Sequence, residues 1–178
     1  MNTFIFAVRM LAALTLAALA APFVWQFATG DYYMTVTGES MRPTYEVGDV
    51  LVVQEPTGNE LTTPGAIVVV AFTPGDKSTQ YVHRVLEPSA DGAILKGDNN
   101  DTPDPNPITE DQVMGTPRLV LAGDAAVVYR ATQHPLIRFP LAAVALILLV
   151  VPLRRRRKET DTTAAVTSPA DLTDSVKA

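Results

Sequence analysis

Two long apolar segments on either side of a polar middle region limit what this chain can fold into. The first, Met10 to Thr29, is a run of twenty residues without a charge, which is long enough to cross a bilayer as a helix. Trp25 stands near its far end, where aromatic side chains commonly meet the membrane–water interface. The pattern predicts an N-terminal transmembrane anchor over residues 1–29.

The same segment also fits a cleaved secretory signal, because Ala18, Ala20 and Ala21 offer endings of the A-x-A type. Pro22 would directly follow the most obvious cleavage site, and the apolar run continues beyond it. Both observations favour an uncleaved anchor.

The second apolar segment, residues 135–153, predicts another transmembrane helix, with Arg138 near enough to one end to reach the interface. A basic run, Arg154 to Lys158, follows at once and marks the cytoplasmic side. Binding of anionic lipid is a compatible second use of that run. The sequence therefore predicts a cell-membrane protein with two crossings, both termini cytoplasmic and residues 30–134 outside. Residues 154–178 combine the basic stop with a polar tail that we expect to be disordered.

The composition of the middle region excludes several kinds of site. Between Gly30 and His134, fifteen Asp/Glu outnumber six Lys/Arg, which argues against nucleic acid as a partner. The chain has no cysteine and two histidines, so thiolate and all-histidine metal centres are excluded. We expect neither a cofactor nor a metal.

The middle region predicts a mainly β fold, a compact all-β domain over residues 30–134 flanked by the two transmembrane helices. Short β-rich runs are separated by glycine, proline and asparagine clusters, and no long run shows helical periodicity. The predicted strands are Tyr33–Thr37, Asp49–Gln54, Ala66–Phe72, Gln80–Glu87, Ala93–Lys96, Arg118–Ala122 and Ala125–Tyr129.

A short loop between the first two predicted strands displays one serine, Ser40. Pro43 fixes its own φ, and Gly38 and Gly48 permit tight backbone geometry at either end. Loops held in this way often carry catalytic groups. A hairpin-like connection with a capping serine is the alternative reading of the same residues.

One histidine, His83, lies in the body of the domain, on the strand face opposite Val82 and Arg84. A lone strand histidine is more often a surface or core residue than a catalyst. A serine hydroxyl, however, needs a neighbouring base, and imidazole titrates in the right range. His134 stands at the membrane border, where packing is its expected role.

An acidic loop, Lys96 to Pro107, carries three carboxylates within seven residues. The EF-hand calcium pattern fails, because Pro103 stands where glycine is needed and Thr109 where the closing glutamate should be. A solvated acidic turn remains an alternative. Asp104 lies between two prolines, so its loop is stiff, and a stiff carboxylate can orient a histidine and stabilise the imidazolium.

These three stretches together resemble the signal peptidase I family over roughly residues 5–130. The resemblance is carried by T-G-E-S-M-R-P-T from Thr37 with the later Gly-Asp, by V-H-R-V from Val82, and by K-G-D-N-N-D from Lys96. One branch of that family has lysine before the arginine of the second motif. The branch of the endoplasmic reticulum, archaea and some Gram-positive bacteria has histidine, as here.

The resemblance implies a role for four residues. Ser40 matches the nucleophile, His83 the general base and Asp104 the acidic third member, while Asp98 matches a second acidic position that family members need. Asp101 matches no such position. Two departures stand out. Gly38 replaces a hydroxyl residue that assists the oxyanion in some members, and Arg42 replaces a residue that is acidic in many.

The implied function is that of a membrane-bound serine endopeptidase that cleaves signal peptides from exported pre-proteins after small residues. The implied partners are those pre-proteins and the lipid bilayer. A catalytically inactive, membrane-tethered binding or assembly protein of the same fold is the alternative. A repressor-type self-cleaving protease would need a DNA-binding segment and a lysine base. Lys77 and Lys96 flank the motifs, but both lie in sequences expected to keep them solvated and charged.

Overall fold

A computed structural model describes residues 3–152, and the predicted basic run and disordered tail lie outside them. The described residues form three α-helices and six strands, with three short 3₁₀ helices in the connections. In chain order these are α1 (Thr3–Thr29), β1 (Tyr32–Thr35), β2 (Val50–Gln54), β3 (Ile67–Ala71), β4 (Gln80–Ser89), β5 (Gly92–Lys96), β6 (Val113–Leu121), α2 (Asp124–Gln133) and α3 (Pro135–Val150).

The strands form one antiparallel sheet in the order β1-β2-β6-β3-β4-β5. Alternate residues of β3 point to different clusters of buried side chains: Val69 belongs to one, and Val68 and Val70 to the other. The strand is thus buried on both faces, which explains its continuous run of apolar residues. The mainly β prediction is confirmed for the domain.

The predicted strand Ala125–Tyr129 is wrong, because these residues lie in α2. The β-branched pair Val127 and Val128 favours a strand locally. Strand β6 ends at Leu121, Gly123 at φ +54° directly precedes the helix, and Asp124 then provides an acidic first turn that stabilises a helix start. The prediction that the middle region lacks a helix fails for the same reason.

Within residues 3–152, α1 alone is long and apolar enough by itself to cross a membrane. Helices α2 and α3 pass the same test only when taken together, and they are bent by 77° at their junction. Because α3 itself has sixteen residues, the predicted second crossing over 135–153 stays a prediction.

Helix α1 is fixed to the sheet through Asp31, whose side chain is 1% exposed. Trp25 Nε1 donates a hydrogen bond to Asp31 Oδ2 at 2.9 Å, and Arg118 lies 3.3 Å from the same oxygen. The backbone N–H of Asp31 donates to the hydroxyl of Thr29. One carboxylate therefore joins the end of α1 to strand β6.

Candidate active site

Ser40 lies in the loop that follows β1, next to two residues that the core holds. Met41 is 1% exposed and Tyr45 is 7% exposed, and the backbone N–H of Tyr45 donates to the carbonyl of Met41 at 2.9 Å. The carbonyl of Ser40 itself accepts a hydrogen bond from the backbone N–H of Asn99 at 2.8 Å. Burial of its neighbour and a tie to the acidic loop thus fix the position of the serine.

His83 lies on β4, paired with Val68 of β3, so its backbone is held inside the sheet. Its Nδ1 is 2.8 Å from Asp104 Oδ2, and the two side chains are 10% and 14% exposed. Asp104 is held in turn by its backbone N–H, which donates to the carbonyl of Leu95 at 2.8 Å. This contact assigns the proton of the imidazole to Nδ1 and leaves Nε2 as the acceptor.

Gly97 is where the acidic loop passes closest to both Ser40 and His83. A Cβ built on Gly97 would lie 2.6 Å from the Ser40 carbonyl oxygen and 2.9 Å from His83 Nε2. Both atoms therefore lie within 2.9 Å of one point, and only a residue without a side chain permits this approach. Sequence reasoning gave Gly97 no role, since a close backbone approach leaves no signal in a single sequence.

Ser40 and His83 line the same cavity. Among the hydrogen bonds found for residues 3–152, none joins the Ser40 hydroxyl to the imidazole. Such bonds are often long in a free enzyme and close only in the complex with substrate. The structure therefore brings His83 and Asp104 into contact and places Ser40 beside them.

Asp98 faces Arg84 rather than the imidazole. Arg84 Nε and Nη2 donate to its two oxygens at 2.8 and 2.7 Å, and Thr44 donates from the serine loop. The Arg84 hydrogen bonds, with that of Thr44, hold the pKa of Asp98 below its usual value against the opposing effect of burial. Arg84 Nη1 also donates to the carbonyl of Gly65. Asp98 therefore links the serine loop, β4 and the acidic loop by one charged network.

Three other residues that the sequence raised, Asp101, Lys77 and Lys96, lie outside this arrangement. The Asp101 side chain is exposed, and its carbonyl accepts from Lys96 at 3.4 Å. Lys77 lies 4.0 Å from the ring of Tyr32. Neither lysine is among the residues that line the cavity.

Tyr81 and Phe72 form an aromatic wall that sequence reasoning missed. Their rings stack with centroids 4.8 Å apart, and the Tyr81 ring meets His83 edge-on at 5.0 Å. Burial, then the charge of Asp104 and a hydrogen bond to it, raise the pKa of Tyr81 to about 12. Alternation along β4 places Tyr81 on the face of His83, which is the signal that could have found it.

The cavity has a volume of about 630 Å³ and combines aromatic and polar walls. Its lining residues are Ser40, Phe72, Tyr81, His83, Asn100, Asp104, Pro105, Asn106, Pro107, Ile108 and Gln112. Within residues 3–152, no group of three or more His, Asp or Glu side chains is placed to hold a metal ion. The arrangement can move a proton between a serine hydroxyl and a carboxylate-backed imidazole.

Comparison with protein families matches residues 12–116, more than half of the chain, to the family described as Peptidase S24-like. No curated protein matches the chain. The matched segment contains the Ser40 loop, His83, Asp104 and the network around Asp98. The chain therefore belongs to the Peptidase S24-like family, whose fold is of the serine-peptidase type.

Proposed function

We propose that this protein is a membrane-anchored serine endopeptidase that removes signal peptides from exported pre-proteins. The observation that carries the proposal is the 2.8 Å contact between His83 and Asp104 in a cavity that Ser40 also lines. The family match supports a serine peptidase of some kind. The narrower assignment rests on the three sequence motifs and on the apolar helix α1.

The chemistry begins when His83 Nε2 accepts the proton of the Ser40 hydroxyl as its oxygen attacks the scissile carbonyl. Asp104 stabilises the imidazolium that forms. The ring then returns the proton to the leaving amine, and water hydrolyses the acyl-enzyme by the same steps. The backbone N–H of Ser40 supplies an oxyanion donor, a contribution of roughly 3–4 kcal/mol. Gly38 has no side chain, so this position supplies no second, hydroxyl donor to the oxyanion.

The substrate is an extended peptide with small residues on the amino side of the cleaved bond. Extended peptides commonly pair with a strand edge and place alternate side chains in pockets. Phe72 and Tyr81 form one wall of the cavity against which such a peptide would lie. The preference for small residues rests on the resemblance of the sequence motifs.

The decisive experiment is cleavage of a model pre-protein with an A-x-A site by the purified full-length chain in liposomes. We expect a single cut after the second alanine, which the matched variant Ser40→Ala does not make. His83→Ala should abolish cleavage, whereas Lys77→Ala and Lys96→Ala should retain most of it. Activity that survives His83→Ala and disappears with a lysine change would refute the Ser–His mechanism.

The location is tested separately. A reporter fused after Ala178 should be cytoplasmic and one inserted near Gly75 should be external, as expected for two crossings followed by a basic stop. The opposite result would remove signal peptides as the substrate, because their cleavage sites emerge outside.

A second candidate is a tethered binding or assembly protein without activity. The observation that favours it is the lack, within the described residues, of a hydrogen bond from the Ser40 hydroxyl to the imidazole. It predicts that the pre-protein binds with equal affinity to the wild type and to Ser40→Ala and is cut by neither. Cleavage by the wild type alone excludes it.

A further inference from the structure

The amphipathic character of helix α2 is inverted. Ala126 is 1% exposed, whereas the larger apolar side chains Val127 and Val128 are 55% and 61% exposed. Helical spacing places these two valines and Ala131 on one side of the helix, with the exposed Asp124 on the same side in the first turn. On a domain surrounded by water, the outward side of a surface helix is normally polar. Beyond its first turn, the outward side of α2 is instead apolar.

The opposite side of α2 is fixed to the domain. The ring of Tyr129 packs against Tyr33 of β1, with centroids 4.9 Å apart. Tyr33 in turn donates a hydrogen bond to the carbonyl of Pro22 in α1. A small cavity of about 260 Å³ with apolar walls separates Trp25 from Tyr129. These contacts place α2 beside the last two turns of α1.

Helices α1 and α3 pack side by side in antiparallel directions, and this packing sets the position of α2 along the axis of α1. Arg138 Nη2 donates to the carbonyl of Leu19 at 2.7 Å, and its guanidinium lies 3.9 Å from the centre of the Phe23 ring, so Arg138 lies beside the turn from Leu19 to Phe23. The buried residues Ala12 and Ala145 each lie seven positions further along, as an antiparallel pair requires. Since α3 starts three residues before Arg138, it begins beside the last two turns of α1.

This height agrees with the thickness of a bilayer. The uncharged run Met10–Thr29 of α1 has twenty residues, a length of about 30 Å, which equals the hydrocarbon core. The last two turns of α1 form the outer end of this run, so helix α2, which lies beside them, is close to where the hydrocarbon ends. Because α2 and α3 are bent by 77°, α2 runs nearly along the membrane surface if α3 runs along its normal.

We propose that α2 lies in the boundary between hydrocarbon and headgroups of the lipid bilayer, with Val127, Val128 and Ala131 in contact with acyl chains. The proposal rests on the membrane anchoring in the proposed function. Interfacial helices of this kind bury their apolar side about 5–10 Å deep. Helix α2 would then hold the peptidase domain, and with it the cavity, at a fixed height above the bilayer.

The test uses the absence of cysteine from the sequence, so single-cysteine variants can be labelled with a fluorophore at one site. In phosphatidylcholine liposomes, lipids brominated near the headgroup should quench the label of Val127→Cys more strongly than lipids brominated near the chain ends. Ala90→Cys, in the exposed β4–β5 turn, is the control and should be quenched by neither lipid. Leu14→Cys, on the exposed side of α1, reports anchoring and should be quenched most by deep bromines.

Each outcome decides one question. Quenching of Leu14→Cys without quenching of Val127→Cys would overturn the proposal for α2 while leaving the anchor intact. No quenching at Leu14 would contradict the membrane location itself. A label at Val127 that is shielded only at high protein concentration, and never quenched by lipid, would show that a second copy covers this face and would also overturn the proposal.

Discussion

Asp104→Asn tests the site most directly. In the wild type, the carboxylate accepts the proton of His83 Nδ1 at 2.8 Å. An asparagine of the same shape can turn its NH₂ toward Nδ1, so the ring then carries its proton on Nε2. That nitrogen faces Gly97 and the serine loop, and it can no longer accept the proton of Ser40.

The expected loss is large because the pair is shielded from solvent. The two side chains are 10% and 14% exposed, so water screens their interaction little. Where the orienting aspartate of such a triad is replaced by asparagine, kcat falls about 10⁴-fold, which corresponds to about 5 kcal/mol in the activation free energy. We expect a loss of this order in kcat with a smaller change in KM, since Asp104 acts through the imidazole of His83.

The assay is the time course of pre-protein cleavage in liposomes, with thermal unfolding measured on the same samples. Asp101→Asn is the matched control, since it lies in the same loop with an exposed side chain. It should cleave at nearly the wild-type rate. The reasoning is refuted if Asp104→Asn is as active as this control, and the wrong aspartate is assigned if Asp98→Asn alone abolishes activity in a folded protein.

Three further predictions concern the surroundings of the pair. Gly97→Ala and Gly97→Asn should both lose most of the activity, because any Cβ at this position meets the Ser40 carbonyl oxygen and His83 Nε2 at under 3.0 Å. Cleavage at the wild-type rate by either variant would contradict the close approach. Asp98→Asn should lower the free energy of unfolding by about 1–2 kcal/mol, because Arg84 loses its charged partner. The loss is moderate since Arg84 is 35% exposed and water screens the pair in part. Thermal unfolding measures the loss as a lower Tm. The pKa of Asp98 is lower in the folded than in the unfolded protein. Its contribution to the free energy of unfolding is therefore present above the unfolded-state pKa near 4 and is lost as the pH falls below that value. The Tm of Asp98→Asn should thus fall less than that of the wild type when the pH is lowered.

The sheet was predictable because its strands carry local signals. The continuous apolar run of β3 and the alternation along β4 are read directly from the sequence. Helix α2 was not predictable in this way. Its Val127–Val128 pair favours a strand, and what stabilises the helix instead is packing of Tyr129 on Tyr33, nearly a hundred positions earlier in the chain.

The candidate site was predictable in its residue types but not in its contacts. The proline-flanked loop singled out Asp104, and the structure places it beside His83, whereas its catalytic role stays a prediction. The partner of Asp98 could not be foreseen, because the approach of Arg84 depends on how β4 and the acidic loop meet in three dimensions. Gly97 was missed for the same reason.

The carboxylate of Asp31 has a practical consequence for anyone who wishes to produce the peptidase domain without its membrane helix. A shortened chain that starts at residue 30 loses Trp25 Nε1 and the Thr29 hydroxyl as partners of Asp31. Asp31 would then be open to water with Arg118 as its remaining partner, and an exposed ion pair of this kind contributes about 1 kcal/mol or less. A water-soluble version should therefore begin before Trp25, with the apolar side chains that precede it replaced rather than the whole helix removed.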